Sequence, residues 1–122
     1  MSAGVTPGNL VASSAITKFR ILALDTSDER LVEHAVLAAT RPIGVSEVDV
    51  PEGEAVTFEG RDGYVTAVEA GEAIAVGDDV VAGLLGKGFV GGSGDEAIGT
   101  ALTSASADGE IVNLLIAKRV IP

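Results

Sequence analysis

The chain has 122 residues, a formal net charge of −10, no cysteine and a single histidine. The length suits one domain with an extra arm, and the negative charge opposes phosphate backbones and anionic lipid surfaces, which argues against nucleic-acid and membrane-surface partners. Without cysteine there is no disulfide or thiolate metal site, and one histidine rules out metal centres built on histidine pairs.

Residues 1–17 are mostly Ser, Ala, Gly, Thr and Pro, with Val5, Leu10, Val11 and Ile16 spaced among them. Pro7 and Gly8 break regular structure, whereas a mere linker would need no apolar residues. The segment reads as an extended N-terminal arm that docks onto a partner, with Lys18 and Arg20 beside it. The first acidic residue is Asp25 and the last Glu110, so Lys18, Arg20, Lys118 and Arg119 lie in end segments free of acid. Such edges would suit an acidic neighbour; chance in short ends gives the same pattern.

Residues 18–122 read as a single β domain. Phe19–Leu24 forms a strand and Asp25–Asp28 a turn. Between residues 29 and 39 the apolar positions fit a helix face, with Ser27 or Asp28 as cap, but they equally fit a returning strand. The second half favours the strand. There Asp79–Ala82 passes through Gly83-Leu84-Leu85-Gly86-Lys87-Gly88 into Phe89-Val90, and Leu31–Ala35 is its analogue. Ile43–Val48, Ala55–Glu59 and Tyr64–Val68 follow, with Asp62-Gly63 as a hairpin turn. Ile98–Thr103 and Ile111–Ala117 bring the expected count to nine or ten. Sixteen glycines at regular intervals mean many short strands, hence a sandwich or small barrel.

Two halves share a phrase. Pro42-Ile43-Gly44-Val45 leads to Glu52-Gly53-Glu54-Ala55-Val56, and Ala97-Ile98-Gly99-Thr100 leads to Asp108-Gly109-Glu110-Ile111-Val112. Ile43 and Ile98 are 55 positions apart, Gly53 and Gly109 are 56 apart. An apolar-Gly strand, an acidic-Gly turn and a β-branched strand are used twice. Aromatics are only 3% of the chain. A core of small aliphatic side chains gains much from a partner subunit, which predicts a homo-oligomer.

Features that suggest chemistry are weak. Gly86-Lys87-Gly88-Phe89-Val90-Gly91 matches GxGxxG, but Gly92-Ser93-Gly94 follows where a dinucleotide site needs a helix. Lys87 at a hairpin tip resembles the lysine of lipoyl and biotinyl carrier domains, the runner-up reading, although its neighbours are glycines. Ser93 lacks the nucleophile-elbow context, and His34 reads as a surface or edge-strand residue. The acidic turns at Asp25, Asp28 and Glu29 and at Asp78 and Asp79 lack EF-hand spacing. No catalytic residue, cofactor or metal is expected. No apolar run is long enough to span a bilayer, and the N-terminus lacks the parts of a signal peptide.

Ala70-Gly71-Glu72-Ala73-Ile74, Val76-Gly77-Asp78-Asp79-Val80-Val81, Ile98-Gly99-Thr100-Ala101-Leu102 and Ala107-Asp108-Gly109-Glu110-Ile111-Val112, in that order, resemble the capsid decoration (cement) proteins of tailed bacteriophages. The resemblance covers most of residues 16–117. It implies an all-β fold, β-sandwich or β-tulip-like barrel, and a structural virion protein, trimeric on the outer surface of an icosahedral head. There it would clamp the major capsid protein, with no cofactor, nucleic acid or membrane involved. Combined with the reading of the arm, the expected capsid contacts are Val5, Leu10, Val11, Ile16, Lys18 and Arg20.

Overall fold

A computed structural model describes residues 10–24, 31–34 and 41–122. Within them lie ten strands: β1 (Val11–Ala12), β2 (Ile21–Leu24), β3 (Leu31–His34), β4 (Gly44–Ser46), β5 (Phe58–Glu59), β6 (Val65–Glu69), β7 (Asp79–Ala82), β8 (Gly88–Val90), β9 (Glu96–Ala101) and β10 (Ile111–Val120). One turn of 3-10 helix, Leu84–Gly86, joins β7 to β8. The strands form two open five-stranded sheets, ordered β1-β3-β2-β4-β5 and β6-β10-β9-β7-β8. Neighbours are antiparallel except β1 beside β3. The fold is all-β, as expected, but the sheets do not close into a barrel.

The repeat is deeper than the shared phrase. The order β3-β2-β4-β5 of the first sheet matches β8-β7-β9-β10 of the second. The bonds match too. Gly53 N–H donates to Ala12 O and Ala12 N–H to Glu54 O, as Gly109 donates to Ala70 O and Ala70 to Glu110 O. Ile16 and Val50 exchange both backbone bonds, as do Ile74 and Ala105. Phe19 N–H donates to Ser46 O and Ser46 N–H to Arg20 O; Gly77 donates to Ala101 O and Ala101 to Asp78 O. Gly77 has φ +91°, and its counterpart Phe19 is held at φ +64°. That is left-handed backbone, which costs a residue with a Cβ. Buried Ser46 supports the Phe19 turn: its Oγ donates to Thr17 O at 2.6 Å and accepts from Arg20 N–H at 3.2 Å.

Each repeat wraps its own core. The smaller core holds Ala12, Ile16, Leu22, Val50 and Val56, flanked by Leu10, Ile43 and Phe58. The equivalent positions Ala70, Ile74, Val80, Ala105, Val112, Val68, Ile98 and Leu114 all belong to the larger core. That larger core also takes in Ile21, Ala23 and Val45 from the other face of the first sheet. The second repeat thus packs on the back of the first.

One of the expected elements holds and two change. Leu31–His34 is the strand that pairs with β2, but Asp25–Asp28 and residues 35–39 lie outside the described residues. The Asp62-Gly63 turn does not close a hairpin. β5 belongs to the first sheet and β6 to the second, so the turn carries the chain between sheets, with Gly63 at φ +88°. From Leu10 onward the supposed arm is folded. Val11–Ala12 is a strand, and Ile16 is 3% exposed inside the smaller core.

Candidate interaction surfaces

Of the six residues expected to meet a partner, Val5 lies outside the described residues. Leu10 is half-buried against the smaller core and Val11 pairs with Leu31 and Ala55. Ile16 has almost no surface to offer. Lys18 is exposed, its ammonium 5.4 Å from the centre of the Phe19 ring. The six therefore do not form one patch: Ile16 is spent inside the chain, and Arg20 is tied to the second repeat.

Arg20 sits at the seam between the repeats. Its Nε and Nη2 donate to Glu69 Oε1 at 3.3 and 3.1 Å, and Nη1 to Leu85 O at 3.0 Å. Glu69 N–H donates to Phe19 O at 2.8 Å. Lys87 reaches the same carboxylate at 3.4 Å and donates to Asp108 at 2.8 Å. Asp108 holds the Lys87 ammonium above its ordinary pKa, with Glu69 assisting. A carrier lysine must present a free amine; this one is paired twice and locks the β7–β8 turn to the seam. The carrier reading is not favoured. Leu85, in that turn, has φ +60°, and Leu84 beside it is 70% exposed.

His34 closes the other side of the seam. Its Nε2 accepts the Thr17 N–H at 3.1 Å, so the ring must be neutral at that atom. Partial burial, then the nearby Arg20 charge, hold its pKa below the ordinary value near 6.5. The unfolded chain therefore binds this proton first, so the stability is complete above about pH 6.5 and is lost as pH falls through that value towards the folded pKa. The melting temperature should drop between about pH 7.5 and about pH 5.5, above the ordinary carboxylate range. Substitution His34→Gln should flatten that limb; an unchanged slope would remove His34 as its cause.

Several other charges are committed. Asp78 Oδ2 caps Ala75 N–H at 2.8 Å, and Asp79 pairs with Arg119 at 2.8 Å. Arg61 binds Glu59 through Nε and Nη2, at 3.0 and 2.9 Å, and pushes that carboxyl down to about 2. No cluster of metal-binding side chains occurs among the described residues. A groove of about 740 Å³, walled by Leu10, Leu24, Ile43 and Phe58, opens beside Gly60, with Arg61 and Lys118 also lining it. Gly60 stands where the second repeat has the buried Ile116, so the first repeat leaves open what the second fills. No helix among the described residues is long and apolar enough to cross a membrane.

Sequence reasoning missed the Glu69 seam and Ser46. A legible signal existed: Leu10-x-Ala12-x-x-x-Ile16 has the spacing of Val68-x-Ala70-x-x-x-Ile74, which marks the arm as part of the first repeat.

The family model described as phage cement protein matches residues 2–116. Among solved structures, the chain is similar to the N base of head fiber gp8.5 in bacteriophage phi29, at a TM-score of 0.75 and 25% identity, over 93% of this chain and 94% of that one. No curated protein matches.

Proposed function

Because the chain belongs to the phage cement protein family, we propose that it is a structural virion component that decorates the outside of an icosahedral head, binds the major capsid protein and stabilises the shell. The observation that carries this reading is the family match over residues 2–116, supported by the fold shared with a head fiber base. In this reading the protein is a homo-oligomer, most simply a trimer, and works without a cofactor or catalytic residue. Of the expected contacts, Lys18 is exposed and is the one proposed to meet the shell. Ile16 and Arg20 hold the fold that presents it.

The test is to mix the purified protein with undecorated heads and follow sedimentation of the complex. Binding is expected, it should weaken with salt where Lys18 contributes, and decorated heads should retain DNA to a higher temperature. Heads that neither take up the protein nor gain heat resistance would sink the proposal.

A further inference from the structure

The two repeats differ in what covers their backs. In the first, Ile21, Ala23 and Val45 lie on the sheet face turned away from the smaller core, and all three are at most 2% exposed. The second repeat covers them. In the second, the equivalent face carries Asp79 and Thr100 in register with Leu115 and Val65 across β7, β9, β10 and β6. Val81 on this side is buried, and its side chain and that of Ile121 both lie over Gly91. Beyond that point no described segment lies over the face. Val65 is 58% exposed, Ile111 45% and Leu102 42%.

The charge pattern on this face is as informative as its apolarity. In a chain of net charge −10, its centre, from Leu115 to Ile111 and Leu102, carries no ionisable side chain. Of the acids around it, Asp79 is paired with Arg119 and Glu69 with Arg20 and Lys87, while Glu110 beside Ile111 is held by Ser106. Two chains of the same sign meet the least local like-charge repulsion where neither presents an ionisable side chain.

We propose that this face, centred on Leu115, is where a second copy of the chain packs. The chain itself supplies the precedent, because the same face of its first repeat is covered by another unit of the same kind. A ring of such contacts would continue between copies the packing that joins the repeats within one. The inference rests on the self-association proposed above and gives it a surface.

Sedimentation of the full chain across the micromolar range tests it. Val65→Lys with Ile111→Lys places two charges on exposed positions of the face, so the fold should survive and association should weaken at least about tenfold. Val48→Lys, on an exposed loop of the first repeat, should associate as the wild type does. Circular dichroism checks folding; if the double variant does not fold, Leu102→Lys replaces it with the same expected loss. Wild-type association in the variant that folds, dissociation caused by Val48→Lys alone, or a wild-type chain monomeric throughout would each overturn the inference. An oligomer broken by the face variants that does not bind heads would leave the inference standing and count against the decoration role.

Discussion

Deleting residues 2–16 is expected to abolish cooperative folding, whereas deleting 2–9 should leave it intact. The longer deletion removes Ala12 and Ile16, which are 1% and 3% exposed, and strips the cover from Leu22, Val50 and Val56. It also breaks the bonds of Ala12 to Glu54 and Gly53, both bonds between Ile16 and Val50, and that of Val56 to Leu10. Burial of one large aliphatic side chain contributes about 1.5–3 kcal/mol and each net hydrogen bond about 0.5–1.5 kcal/mol. Together these losses reach the order of the whole stability of a small domain, about 5–15 kcal/mol. Deleting 2–9 touches none of these bonds. Thermal unfolding by circular dichroism decides. A wild-type melting temperature after loss of 2–16 would mean that the smaller core does not need its first strand.

The opposite expectation, a separable arm, came from composition. Pro7 and Gly8 act only on their own neighbourhood, whereas the expectation of an arm ran on to Ile16. What identifies 10–16 as body is spacing: alanine and isoleucine recur four apart at 12 and 16 and at 70 and 74. The duplicated phrase around Gly44 and Gly99 was legible because both glycines carry a steric demand that spacing reveals. The hairpin at Asp62-Gly63 misled because a left-handed glycine fixes only the turn, not which sheet receives the next strand. That choice belongs to the larger core, which recruits Val68 to the second repeat.

The seam was illegible for a related reason. Arg20, Glu69, Lys87 and Asp108 are far apart in sequence, and each alone reads as a solvated charge. They meet only because the second repeat lies on the back of the first. Lys87 does lie at the β7–β8 connection, directly after the Leu84–Gly86 turn. Its role differs because Glu69 at the end of β6 and Asp108 in the turn before β10 hold it.

Gly99→Ala should be the most costly single methyl that can be added to the sheets. An added Cβ would overlap Leu115 O and come within 2.9 Å of its carbonyl carbon and 3.0 Å of Ile116 Cα. These are backbone atoms of β10, the central strand that pairs with both β9 and β6. No side chain can turn aside to make room, so the strands must separate or the pairing of β9, whose register shifts against both β7 and β10, must move. Overpacking of this kind costs about 1–3 kcal/mol. The counterpart Gly44→Ala meets Glu59 O in the same way, but β5 is only two residues long and can yield more readily. Gly53→Ala meets nothing within 4 Å; its only penalty is φ +86°, about 1–2 kcal/mol. Melting temperatures should therefore fall furthest for Gly99→Ala, less for Gly44→Ala and least for Gly53→Ala. A Gly99→Ala protein that melts with the wild type would show that β9 and β10 do not approach as closely as their register requires, and the equivalence of the two Ile-Gly strands would lose its physical basis.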